Sequence, residues 1–110
     1  MELISYGDFE KLEMRVGRVL SAERIPKTEK LYKLQVDLGE KKVQIVSSLV
    51  PYYSEQELLG KSIVVLANLQ PTKFGGERSE GMLLCAETED GKTCVLLTTE
   101  KEIPVGVRVT

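Results

Sequence analysis

The stretch Leu31-Tyr32-Lys33-Leu34-Gln35-Val36-Asp37-Leu38-Gly39-Glu40-Lys41-Lys42-Val43-Gln44-Ile45, residues 31 to 45, decides the fold. Tyr32, Leu34, Val36 and Leu38 are apolar at every second position, while Lys33, Gln35 and Asp37 fill the gaps between them. That period of two is the mark of a strand with one face buried and one face wet. Leu38-Gly39-Glu40-Lys41 reads as a hairpin turn, and Val43, Ile45 and then Ser47 carry the inward-facing set onto the next strand.

Outward from this hairpin, residues 14 to 24 put apolar side chains at Met14 and Val16 and, past Gly17, at Val19 or Leu20. This suits a half-buried strand with a bend or bulge at Gly17, as a small barrel requires. Ile25 to Lys30 follow as a loop. On the other side, Ser54 with Glu57 three residues on forms a capping-box pattern and Gly60 stops the turn, which gives one short helix. Ser62 to Ala67 is an apolar, β-branched run, and Met82 to Ala86 and Thr93 to Thr98 make two further strands. Asp90-Gly91 is the turn between the last two. It sets Thr88 opposite Thr93, Glu87 opposite Cys94 and Cys85 opposite Leu96. The two cysteines then become diagonal neighbours, about 7–8 Å apart and beyond disulfide reach, so buried free thiols are expected.

Three meander strands, a short helix, a fourth strand and a final pair define an all-β chain. The expected architecture is a five-stranded Greek-key barrel of the OB type, with a short helix between strands three and four and extensions at both termini. An SH3-like barrel and a split sandwich fit the same order of elements. Residues 1–110 are read as one domain, and Met1 with a complete set of elements points to a free-standing protein. In an OB barrel, ligands meet the face of strands two and three and the loops joining strands one to two and four to five. Here those loops are 25–30 and 68–84, the latter too long for a plain turn.

Composition narrows the chemistry. The chain has no histidine, which removes the commonest general base, the usual zinc ligand and every His-activated nucleophile. The two cysteines lie far from CxxC spacing, so no metal, cofactor or catalytic residue is expected. No run approaches the eighteen or so apolar residues of a membrane helix, and a soluble, cytoplasmic protein with no membrane partner is expected. Net charge is −2, yet Lys11 to Arg78 carry 12 basic residues against 8 acidic ones. A chain that is near neutral overall can present a basic face.

In the barrel, Lys27, Lys30 and Lys33 lie in or just after the first loop, and Lys73 and Arg78 lie in the second. Such cations hold phosphates, and an exposed Tyr32, Phe74 or Met82 packs against an unstacked base. Glycines 75, 76 and 81 let backbone approach closely, and Asn68 offers donors and an acceptor to a base edge. Each has a plainer use as well. Asn68 satisfies a loop backbone, Ser79 caps a turn, Met82 fills the core, Phe74 packs the loop down, and the lysines guard a strand edge. Glu77 and Glu80, in the same loop, repel phosphate unless they are turned away.

Read together with Asp8-Phe9-x-Lys11-Leu12-x-Met14-Arg15-Val16-Gly17-Arg18-Val19, the segments Glu29-Lys30-Leu31-Tyr32-x-Leu34-x-Val36-Asp37-x-Gly39, Asn68-Leu69-x-Pro71-x-Lys73 and Ser79-x-Gly81-Met82-Leu83-Leu84 resemble a known family. It is the tRNA-binding domain found in methionyl-tRNA synthetases, in free-standing tRNA-binding proteins and in synthetase cofactors of the endothelial-monocyte-activating polypeptide type. The resemblance implies an OB barrel and a homodimer sealed by Pro104 to Val109 with the N-terminal residues. It also implies non-catalytic binding of tRNA by shape and backbone, alone or with a methionyl-tRNA synthetase catalytic chain. The RNA-contact positions it implies are Asn68, Lys73, Ser79 and Met82, with Lys30 and Arg78 as cationic support, and Lys33, just after the first loop, is read with them as an RNA-binding residue. The secretion chaperone CsaA, a dimer that binds peptides, shares the barrel and is the alternative.

Overall fold

A computed structural model describes all of residues 1–110. Four strands carry the frame: β1 (Met14–Arg24), β2 (Tyr32–Asp37), β3 (Lys42–Ser47) and β4 (Ser62–Leu66). With β7 (Met82–Leu83) they form one antiparallel sheet in the order β3-β2-β1-β4-β7. The alternation in residues 32 to 36 is realised in β2, whose Tyr32, Leu34 and Val36 are buried and pair with Ser47, Ile45 and Val43 of β3. The sheet nearly closes on itself, because residues 79 and 80, just before β7, bond back to β3. This is the expected OB-type barrel.

The long strand β1 holds the barrel together by changing partners. Met14 to Arg18 pair with β4, and Arg18 to Arg24 pair with β2. On the edge that β2 leaves free at the start of β1, the C-terminal tail takes its place. The Val16 amide donates to Val107 O at 2.9 Å, Gly106 N to Val16 O at 2.7 Å and Val109 N to Met14 O at 2.8 Å. The register break in β1 lies between Val19 and Ser21, at exposed Leu20, and not at Gly17 as the sequence suggests. Gly17 pairs regularly with Ile63; it is glycine because an added Cβ would sit 2.7 Å from Val36 Cγ1.

Helix α2 (Glu55–Leu58) closes the bottom of the barrel with Leu58, which is fully buried. Its start is the expected capping box: Ser54 Oγ accepts from Glu57 N at 3.2 Å, and Ser54 N donates to the Glu57 carboxylate at 2.8 Å. A second helix, α1 (Tyr6–Glu10), was not anticipated, although Ser5 caps it by accepting from Asp8 N at 3.0 Å. No helix is long and apolar enough to cross a membrane.

Two further departures lie in the second half. The stretch 68–84 is not an open loop: it holds a hairpin of β5 (Thr72–Phe74) and β6 (Glu77–Ser79), turned by Gly75 and Gly76, both at positive φ. The strand expected over 82–86 is split at Leu84 into β7 and β8 (Cys85–Glu87), because the chain leaves β4 there and pairs with β9 (Cys94–Leu96). The pairing of β8 with β9 has the expected register, Cys85 opposite Leu96 and Glu87 opposite Cys94. Both cysteines are free thiols, half-buried rather than buried.

Candidate nucleic-acid interface

The β5–β6 hairpin lies along the edge of β3 and reaches Lys33 of β2 through Glu77, and its contacts explain several of the residues singled out by sequence. Directly opposite pairs are Thr72–Ser79, Lys73–Arg78 and Phe74–Glu77. Side chains alternate between faces along a strand, so the Ser79 and Phe74 side of the hairpin faces opposite to Lys73 and Arg78. Ser79 is 2% exposed, and its hydroxyl accepts from Val46 N at 3.0 Å and donates to Gly81 O at 3.1 Å. Glu80 accepts from Gln44 N at 2.9 Å, and Gln44 Nε2 donates to Arg78 O at 2.8 Å. The edge of β3 is thereby satisfied by side chains of this segment, where an open strand edge would otherwise invite pairing.

At its tip the hairpin meets the first loop. A Cβ on Gly75 would lie 3.0 Å from Leu31, 3.1 Å from Thr28 and 3.5 Å from Ile25, so the turn is seated on loop 25–30 by van der Waals contact. Loops 25–30 and 68–84 therefore rim one surface. Lys27, Lys30, Lys73 and Arg78 are all exposed there, and none of the six ion pairs in the chain involves any of them. Like charges placed directly across a hairpin destabilise it. Lys73 facing Arg78 without a carboxylate between them is thus a site that gains from an external anion.

The remaining predicted residues are committed within the chain. Lys33 bridges Glu23 at 3.1 Å and Glu77 at 3.6 Å, and the Glu23 contact holds its pKa above the ordinary lysine value. Glu77 is thereby engaged by Lys33 and Glu80 by the Gln44 amide, so both carboxylates that sequence placed against phosphate have partners within the chain. Asn68 accepts from Glu13 N at 2.9 Å and donates to Lys11 O at 2.7 Å, pinning the chain before β1. Tyr32 does not present its ring to solvent: it is 3% exposed, in the core, and its hydroxyl donates to Tyr53 O at 2.7 Å. Gly81 makes a close approach of its own, since a Cβ there would lie 2.8 Å from Leu66 O, and so serves β4 rather than a ligand.

Met82 and Phe74, by contrast, are 45% and 41% exposed and line a groove of about 400 Å³ beside the hairpin. Sequence did not foresee this groove, because its walls come from β3, β5, β7 and β8 at once. Cys85 and Cys94 border it, and burial, with the neighbouring Cys94, pushes the Cys85 thiol up to about 12. That thiol stays protonated at neutral pH and behaves as apolar lining.

A nearly closed OB-type barrel with an unpaired basic rim defines a class of oligonucleotide-binding modules. The family model described as "Putative tRNA binding domain" matches residues 14–108, and the chain belongs to that family. It is similar, at 55% identity over 108 residues, to the methionine–tRNA ligase of Archaeoglobus fulgidus; the match covers 98% of this chain and 16% of that protein. The chain thus spans about a sixth of the length of that relative. Among solved structures it resembles a MetRS-related protein from Pyrococcus horikoshii, with a TM-score of 0.94, 45% identity and full coverage of both chains. It also resembles the chaperone CsaA from Bacillus anthracis, with a TM-score of 0.90 and 30% identity over 99% of this chain and all of that one.

Proposed function

We propose that this chain is a non-catalytic module that binds tRNA through its backbone and shape, and that it delivers tRNA to a methionyl-tRNA synthetase catalytic chain, as part of that chain or beside it. One observation carries the reading: Lys73 and Arg78, paired across the hairpin with no internal counter-ion, stand beside Lys27 and Lys30 on a single rim. Phosphate oxygens are the ligands such a rim lacks. In this reading Lys30, Lys73 and Arg78 touch the RNA directly and Met82 lies at its edge. Lys33, Asn68 and Ser79 act by holding the hairpin and β1 where the rim needs them.

The module acts as a homodimer. The N-terminal arm exposes Leu3, Ile4 and Tyr6, and the tail exposes Ile103 and Val107. The two segments are tied together by Arg108, which donates to Glu10 O at 2.8 Å and Leu12 O at 3.3 Å. Exposed apolar side chains on two segments tied side by side offer an interaction surface. Two rims on one dimer engage one tRNA with gained avidity.

The peptide-binding alternative draws on the likeness to CsaA. It is disfavoured by β3, whose Gln44 and Val46 amides are already bonded to Glu80 and Ser79 and are not free for an added strand. Fluorescence anisotropy of labelled tRNA at two salt concentrations, with an unfolded polypeptide as competitor, separates the two. Salt-sensitive tRNA binding that the polypeptide does not displace is expected. Polypeptide binding with tRNA ignored would transfer the function to the chaperone reading.

A further inference from the structure

The groove beside the hairpin is not needed for holding a phosphate backbone, and its chemistry differs from that of the rim. Its volume of about 400 Å³ falls within the range of small-ligand clefts, ~300–1,000 Å³. Leu31, Phe74, Met82 and Cys85 supply apolar lining, Ser47 and Ser48 add hydroxyls, and the one carboxylate of the lining, Glu87, accepts from the Tyr52 hydroxyl at 3.5 Å. Leu31 follows Lys30 in the chain, and Phe74 follows Lys73. A cation that reaches outward is therefore next to an apolar side chain that lines the groove, twice over. Strand geometry enforces this at β5, where Lys73 and Phe74 point to opposite faces.

We infer that this groove receives the base of an unpaired nucleotide, while Lys30, Lys73 and Arg78 hold the phosphates on either side of it. The inference rests on the tRNA-binding reading and deepens it: the preferred RNA has a nucleotide free of its helix next to a paired backbone. Charge selects this occupant. Lys30, Lys73 and Arg78 form no ion pair within the chain, whereas Glu77 on the hairpin is paired with Lys33, which also holds Glu23. An apolar slot beside unpaired cations is what single-stranded nucleic-acid sites combine, a base-stacking surface with a phosphate track. A polypeptide would use the apolar slot and leave the cations without a ligand.

The test compares two RNA hairpins identical but for one bulged 2-aminopurine nucleotide, bound by the wild-type chain, by a Phe74→Ala, Met82→Ala variant and by a Lys73→Ala, Arg78→Ala variant. Phe74 and Met82 are both well exposed, so their loss leaves the core intact, and an unchanged melting temperature serves as the control for folding. The wild type is expected to prefer the bulged RNA by about tenfold, within what one base–aromatic contact gives, with a change in 2-aminopurine fluorescence on binding. The groove variant binds the bulged and the paired hairpin with equal affinity and shows no fluorescence change; the rim variant weakens on both RNAs and keeps the preference. Equal affinity of the wild type for the two RNAs, or a groove variant that keeps the preference, overturns the inference and leaves the tRNA reading standing. Failure of the wild type to bind either RNA, with capture of unfolded polypeptide instead, overturns both.

Discussion

At Gly17 an added Cβ would lie 2.7 Å from Val36 and 3.1 Å from Leu38, both in the core, so no side chain fits between β1 and β2 there. Gly17→Ala is expected to lower stability by about 1–3 kcal/mol through overpacking, read as a shift of the urea midpoint at unchanged slope. Ser79 is a second residue with a single use. Its hydroxyl closes the gap between β3 and the hairpin, and removing it leaves the buried Val46 amide without an acceptor. Ser79→Ala should cost about 1–3 kcal/mol and weaken tRNA binding only to the extent that the hairpin loosens. An equal loss of affinity with full stability would instead make Ser79 a direct RNA contact.

Among the elements, the frame was legible because its signals are local. The alternation of Tyr32 to Leu38, the capping box at Ser54 and the Asp90-Gly91 turn each specify an element without help from the rest of the chain. Helix α1 carried such a signal as well, Ser5 with Asp8 three residues on, but its five residues lack an apolar period long enough to be noticed. The hairpin inside 68–84 was announced by Gly75-Gly76, a two-residue turn signal, and hidden by strands of three residues with little alternation. What no local signal could reveal is partnership: that Asn68 serves Glu13 and Lys11, that Lys33 serves Glu77, and that the groove collects Leu31, Phe74 and Met82. Those facts depend on chain crossings far apart in sequence.

Several of these elements are held by carboxylates whose pKa lies below the ordinary range. For Glu13 the main cause is its hydrogen bond to Arg15, for Glu57 the Ser54 backbone N–H, and for Asp90 the Lys92 backbone N–H. A carboxylate with a depressed folded-state pKa adds stability that is complete above its unfolded value, about 4, and is lost as pH falls through the folded value. Thermal stability should therefore be level near neutrality and fall below about pH 4.5. Glu13→Gln should flatten part of that fall, and an unchanged acid slope would mean that the clasp of Glu13 with Arg15 and Arg108 contributes nothing.

At the scale of the whole molecule, the barrel separates two surfaces. Loops 25–30 and 68–84 bring together four exposed cations without an ion pair, Lys27, Lys30, Lys73 and Arg78, and the N-terminal arm and the tail each expose apolar residues. Light scattering should give about twice the chain mass of 12.3 kDa. An Ile4→Glu, Ile103→Glu variant should be a folded monomer with tRNA affinity lower by about a hundredfold. A wild-type chain that is monomeric at micromolar concentration and still binds tRNA tightly would remove the dimer from the account.

The central claim is that Lys73 and Arg78 hold phosphates. The most direct measurement is the salt dependence of tRNA binding for the wild type and for a Lys73→Ala, Arg78→Ala variant. Each phosphate contact contributes roughly 0.7–0.9 to the slope of log K against log salt, so the variant should show a slope shallower by about 1.5 and correspondingly weaker binding at low salt. An unchanged slope with unchanged affinity would contradict the account and move the RNA to another face of the barrel.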